Sequence, residues 1–166
     1  MARVARWNGQ TVGDHAFSVA QHALLVEEIL TALETNVENR WRLAALLHDA
    51  PEYVIGDLIS PFKAAVGLDY KAFEVRLLDA VHRRFGLPSP LPPPIAAAIK
   101  SADKIAAYYE ATLLAGFTED EADRYFGRPA ALPAALRQSL TKLRARPTAL
   151  AQAAFLARFR ALEIEI

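Results

Sequence analysis

Apolar positions along this chain recur mainly at steps of three and four, the spacing of helices. The clearest run follows Ser18. Leu25, Val26, Ile29 and Leu33 share one stripe, which predicts a helix from Ser18 to about Glu34. Ser18 with Gln21 three residues on has the capping-box pattern, and Phe17 just before it is a candidate staple. A short polar link, Thr35 to Asn39, leads into a second helix predicted to end near His48-Asp49. Pro51 to Pro61 reads as irregular, with a turn at Gly56-Asp57 and Ser60-Pro61 biased away from helix. A third helix is predicted from about Asp69 to Phe85, with Phe73, Leu77, Ala80 and Val81 on one face and Gly86 as its C-cap. Leu87 to Pro94 holds five of the ten prolines and reads as a stiff linker. It is not taken as a domain boundary, because neither side would form a complete core. The next helix is predicted from about Ile95 to Ala115, stopping at Gly116, and Leu132 to Leu162 holds one or two more, split near Pro147. Residues 1–17 form an extended lead-in. The expectation is an all-α, single-domain bundle of about six helices spanning residues 1–166, rich in Ala and Leu and poor in β-branched residues.

At 166 residues such a domain buries roughly two thirds of its unfolded surface. Nineteen basic residues against nineteen acidic ones exclude a broad nucleic-acid footprint but leave room for a small basic pocket that holds one phosphate. The absence of cysteine excludes disulfides and cysteine-zinc sites. No apolar run has membrane-spanning length and the N-terminus lacks a signal-peptide core, so the expected location is the cytoplasm, with no membrane partner.

The chemistry concentrates on a few ionisable groups at apolar positions. His48-Asp49 closes the apolar run Leu43 to Leu47, and His48 shares a face with Trp41, Ala44 and Ala45. His22 lies on the stripe of Leu25, Val26, Ile29 and Leu33, and Asp103 follows Ile95 and Ile99 at steps of eight and four. Burying such groups costs several kcal/mol without compensation. A lone histidine on an apolar face is more often a hydrogen-bonded core residue than a ligand. Three such placements plus Asp49, in a chain with four histidines, point instead to a bound cation in the core between helices. Two imidazoles with two carboxylates suit one divalent transition metal ion (Mn, Co, Fe, Ni or Zn) with positions left for water. Magnesium and calcium sites would not normally recruit histidine, and open positions imply catalysis rather than structural binding.

The pattern His…His48-Asp49…Asp103 on an all-helical chain resembles the HD-domain metal-dependent phosphohydrolases. The block His48-Asp49-Ala50-Pro51-Glu52, with Gly56-Asp57-Leu58 and Pro61-Phe62-Lys63, is similar to the bacterial 5′-deoxynucleotidase branch. So are Arg6-Trp7-Asn8-Gly9 upstream and Lys100-Ser101-Ala102-Asp103 downstream, so the resemblance covers roughly residues 6–115. It implies metal ligation by His22, His48, Asp49 and Asp103. The first histidine has a second register, Gly13-Asp14-His15-Ala16, which makes His15 the alternative ligand. His22 is preferred because it sits one turn inside a capped helix, on the buried stripe.

The resemblance assigns Glu52 to the attacking water and Asp57 to a sugar hydroxyl. Arg6 and Trp7 would supply a phosphate fork and a flat stacking surface; without the resemblance they read as a surface arginine and a core tryptophan. Lys63 and Lys100 are weaker phosphate candidates, His82 reads as structural or exposed, and Tyr108-Tyr109 as core and rim. Pro51 stands where relatives often have a small residue, and the chain starts close to Arg6, as if an N-terminal segment of its relatives were missing. The implied activity is removal of the 5′-phosphate from a (deoxy)nucleoside monophosphate, a small-molecule substrate. Hydrolysis of a cyclic or polyphosphorylated nucleotide, or nucleotide and metal binding without catalysis, are the alternatives. An all-α interaction domain without a site would show unchanged stability under chelation. The resemblance also implies a homodimer, whose interface nothing in the sequence specifies.

Overall fold

A computed structural model of the chain describes residues 1–58 and 68–163. Ser60-Pro61, Phe62 and the candidate Lys63 lie outside the described residues. Among those described there are eight α-helices and no strand: α1 Val19–Leu33, α2 Asn39–Leu46, α3 Glu52–Ile55, α4 Leu68–Arg84, α5 Pro93–Leu113, α6 Glu119–Phe126, α7 Ala134–Leu140 and α8 Thr148–Glu163. The all-α expectation holds, with more helices than the six anticipated. No helix among the described residues is long and apolar enough to cross a membrane.

α1 is the central element and packs against α2, α5 and α8. Its middle is buried almost all round, from Val19 through Leu30, and this buries His22 and Glu27 along with the leucines. Leu33, predicted on the core stripe, lies at the frayed end and is exposed. Ser18 Oγ accepts from the Gln21 backbone N–H at 3.3 Å, as the cap predicts. The reciprocal half of the capping box is replaced: the Gln21 amide donates to the Arg144 carbonyl and accepts from the Arg146 N–H, both at 3.1 Å.

The lead-in is tied down. Arg6 N–H donates to the Phe17 carbonyl at 2.8 Å and Val19 N–H to the Val4 carbonyl at 2.9 Å, an antiparallel bridge across Ala5 and Ser18. A single 3-10 turn at Trp7–Gly9 follows, with Asn8 in the left-handed region at φ 51°. This turn presents the Arg6 and Trp7 side chains to the bundle.

α2 ends at Leu46, two residues earlier than expected, so His48 and Asp49 sit in the turn that follows it. Trp41 is a half-exposed surface residue, donating to Glu38 Oε1 at 3.2 Å and lying under the Arg40 guanidinium. The segment after Pro51 is not wholly irregular: α3 forms one short turn of helix, starting at Glu52 and stopped by Gly56 at φ 79°, a conformation only glycine adopts readily. The predicted face of α4 is revised. Phe73 and Ala80 are exposed, whereas His82 is buried and Val81 and Phe85 pack on the core. At the C-terminal end of this helix Phe85 packs edge-on against Phe159 with centroids 5.1 Å apart.

α5 starts with Pro93 and Pro94 in its first turn, as proline's fixed φ favours. The segment between Gly116 and Leu132 holds α6, which the periodicity did not predict. Thr118 and Glu121 form a complete capping box there, and α6 packs against α5 through Ala122. α7 and α8 are separated near Pro147, as expected.

Candidate metal centre

Two helices and one turn bring the predicted ligands to one place. His22 comes from the first turns of α1, His48 and Asp49 from the turn after α2, and Asp103 from the middle of α5. The ligand atoms of His22, His48 and Asp103 all lie within 4.8 Å of one another. His22 Nε2 stands 3.3 Å from His48 Nε2, 3.3 Å from Asp49 Oδ2 and 3.3 Å from Asp103 Oδ1. His48 Nε2 is 3.3 Å from Asp49 Oδ2 and 4.0 Å from Asp103 Oδ1. His15, the alternative, is exposed in the lead-in and is not part of this cluster.

The orientation of the rings tests whether the set suits a cation. The chain turns after Leu47 so that His48 Nδ1–H donates to the Ala45 carbonyl at 2.7 Å. His22 Nδ1–H donates to Glu110 Oε1 at 2.5 Å. With both Nδ1 atoms committed, both Nε2 atoms face the two aspartates. Donors about 2.1 Å from a shared ion are roughly 3.0–3.5 Å apart at right-angled to tetrahedral geometry, which matches most of these separations. The residues fit a divalent ion, down to the hydrogen bonds that fix each ring from behind.

The electrostatics agree. Burial and the Arg6 charge work against a His22 imidazolium, but Glu110, Asp103 and Asp49 outweigh them and hold its pKa well above the usual imidazole range. Burial would raise Asp49, yet His48 and His22 hold its carboxyl well below the usual carboxylate range. Asp103 is lowered against burial by the same two imidazoles. Glu110 is lowered by Arg6 and His22 despite complete burial. The site thus gathers ionised carboxylates and attracts positive charge.

Glu110 is the functional residue that sequence reasoning missed. It lies two helical turns after Asp103 on α5. Its Oε1 holds His22, and its Oε2 accepts from Arg6 Nε and from Trp7 Nε1, each at 2.9 Å. The available signal was the seven-residue step from Asp103, which puts both carboxylates on one helix face. Arg6, predicted as a phosphate fork, also has its Nη1 at 3.5 Å from Asp49 Oδ2 and 3.9 Å from Asp57 Oδ2. Glu110 therefore fixes His22, Arg6 and Trp7 together.

Beside the cluster opens a cavity of about 640 Å³, within the size range of small-molecule pockets. Its lining includes Arg6, Trp7, Asp49, Glu52, Asp57 and Asp103, the exposed Lys100 and Lys104, and the aromatic Phe117, Tyr125 and Phe126. Glu52 is buried at 3% exposure on that wall, one turn after Asp49. Lys100 lies against Asp103, with Nζ 2.6 Å from Oδ2. His82 is buried elsewhere and does not join the cluster. Tyr108 is buried and Tyr109 half-buried, the core and rim positions expected of them.

Comparison with known proteins gives this geometry a family. The sequence model of the 5′-deoxynucleotidase YfbR-like family matches residues 1–74. An uncharacterized protein of Rhodobacter capsulatus is 55% identical over 162 residues, covering 98% of this chain and 81% of that protein. The chain belongs to the YfbR-like, HD-domain family. The YfdR protein of Escherichia coli, also uncharacterized, is 30% identical over 95 residues, covering 57% of this chain and 48% of its own length. Membership in the YfbR-like family supports a phosphohydrolase of 5′-deoxynucleotidase type and suggests a divalent metal. The family match includes His22, His48, Asp49, Glu52 and Asp57, and ends before Asp103, Glu110 and the aromatic residues of α6.

Proposed function

We propose that this chain is a metal-dependent phosphohydrolase that removes the 5′-phosphate from deoxynucleoside monophosphates. The observation that carries the reading is the gathering of His22 Nε2, His48 Nε2 and Asp103 Oδ1 within 4.8 Å of one another beside the cavity, with Asp49 Oδ2 3.3 Å from both imidazole nitrogens and each Nδ1 bonded away. A divalent ion held by these four residues supplies Lewis acidity toward the phosphoryl group and lowers the pKa of water.

Glu52, buried on the pocket wall within a turn of Asp49, takes a proton from the attacking water. As that water oxygen bonds to phosphorus, the bond from phosphorus to the sugar 5′-oxygen breaks. The proton returns to the departing oxygen, leaving inorganic phosphate and a deoxynucleoside. Arg6, anchored through its Nε by Glu110, faces the charge on the phosphoryl oxygens. Asp57 accepts a hydrogen bond from the sugar, and Trp7, locked by Glu110, gives the sugar a flat wall.

The test is phosphate release from a panel of nucleoside monophosphates with Mn, Co, Zn or Mg. Deoxynucleotides are expected to turn over. Glu52→Ala and Asp49→Ala are each expected to lose at least about 100-fold in rate. Full activity in both variants would contradict the reading, and release of pyrophosphate in place of phosphate would move it to polyphosphorylated nucleotides.

A further inference from the structure

The lining of the cavity includes four aromatic side chains, Trp7, Phe117, Tyr125 and Phe126, of which the steps above use only Trp7. Trp7 packs edge-on against Phe117 and Phe126, with centroids 5.6 and 5.9 Å away. Tyr125 packs in turn against Phe117 and Phe126 at 6.2 and 6.3 Å. Trp7, Phe117 and Phe126 are partly buried, whereas Tyr125 lines the cavity with 68% of its surface exposed. A single exposed tyrosine on a surface needs no explanation. This one is the open end of a four-ring stack of side chains that starts beside the metal cluster. The helix that carries it, α6, buries only Ala122 fully and is held at its start by the Thr118–Glu121 capping box. The cavity lining thus combines carboxylates and Arg6 with a group of aromatic rings.

We infer that Tyr125, backed by Phe117 and Phe126, is the stacking platform for the planar ring of the substrate's leaving group, a nucleobase. The inference rests on the reading of the site as a nucleotide phosphohydrolase and adds the part of the substrate that the acidic residues do not hold. Every base has a ring face, and stacking on an aromatic side chain is tolerant of base identity. The indole N–H of Trp7 is already donated to Glu110, so the ring stack measures the area of the base more than its hydrogen-bond pattern. Purine, pyrimidine and base-free sugar phosphate should rank in that order. Phe117, Tyr125 and Phe126 lie outside the stretch matched by the family.

The experiment compares kcat/KM for deoxyadenosine monophosphate, a deoxypyrimidine monophosphate and 2-deoxyribose 5-phosphate in the wild type, Tyr125→Ala and Tyr125→Phe. Tyr125→Ala is expected to reduce the preference for nucleotide over base-free sugar phosphate roughly 5- to 100-fold, chiefly through KM. Tyr125→Phe is expected to keep that preference. Binding of deoxyadenosine, followed by tryptophan fluorescence, should weaken in Tyr125→Ala by a similar factor and hold in Tyr125→Phe. Equal losses on all three substrates, or an unchanged preference, would overturn the inference. If the wild type releases phosphate from none of them, the hydrolase reading has failed. Deoxyadenosine binding then still decides the platform: loss in Tyr125→Ala supports it and no change overturns it.

Discussion

Among the described residues two carboxylates are completely buried, Glu27 and Glu110, and their surroundings differ in one respect that separates structure from chemistry. Glu27 on α1 is satisfied by cations from two other elements. Its Oε1 accepts from Arg42 Nε at 2.7 Å and from Thr31 Oγ1 at 3.2 Å, and its Oε2 pairs with Arg158 of α8. Two guanidiniums for one carboxylate clamp α1, α2 and α8, and no negative charge is left over. Glu110 binds His22 and Arg6, but Asp49 and Asp103 stand against the same imidazole and Asp57 near the same guanidinium. That cluster has more anionic oxygen than its side-chain cations balance, with two imidazole Nε2 atoms aimed into it. A buried carboxylate by itself says little about function. An imbalance of charge around converging imidazole nitrogens says a great deal.

Breaking each cluster should produce different failures. The largest effect is expected from His22→Ala, which removes a ligand: phosphate release should fall roughly 1,000-fold or more while the helical circular dichroism persists. Loss of the fold instead would make the site cluster a structural clamp like that of Glu27. Next comes Glu27→Ala. It leaves Arg42 and Arg158 without their partner, and because both arginines reach solvent the expected cost is about 2–4 kcal/mol, seen in urea unfolding, with metal binding intact at low temperature.

Glu110→Gln sharpens the contrast. It keeps the packing but weakens the hold on His22 and Arg6, so metal affinity should drop about 10- to 100-fold with only a modest change in melting temperature. A stability loss as large as that of Glu27→Ala would show that the two carboxylates do the same job. The smallest effect involves His82, a buried imidazole whose Nε2 has no hydrogen-bond partner among the described residues. Burial lowers its pKa from about 6.5, with Asp79 opposing in part. Its neutral form is the one the fold tolerates, so this contribution is present above about pH 6.5 and is lost as pH falls toward the folded value. The melting temperature should therefore decline between about pH 7 and pH 5 by less in His82→Leu than in the wild type.

Much of this arrangement was legible in the chain. The stripe of α1 exposed His22 as a polar residue in an apolar face, and the apolar run before His48-Asp49 did the same for that pair. Asp103 repeated the signal on α5. The cap at Ser18 was legible because its chemistry is local. What escaped notice was short or depended on distant partners. α3 is a single turn, too short for periodicity, and it carries Glu52. α6 has a full capping box in its sequence, Thr118 to Glu121, but a mostly polar composition whose apolar contacts are made with α5. The pairing of Glu27 and Glu110 was not legible, because their arginines come from 15 to 131 residues away. Arg6 read as a free phosphate fork for the same reason: its carboxylate partners are far off in sequence.

The central claim is that the His22–His48–Asp49–Asp103 cluster is built for one cation and the Glu27 cluster for none. The direct measurement is a titration of Mn²⁺ or Zn²⁺ into chelator-treated protein, followed by calorimetry and by melting temperature. The prediction is one ion per chain with a rise in melting temperature, abolished in His48→Ala and preserved in Glu27→Gln. Absence of stoichiometric binding by the wild type, or binding that survives His48→Ala undiminished, would contradict it.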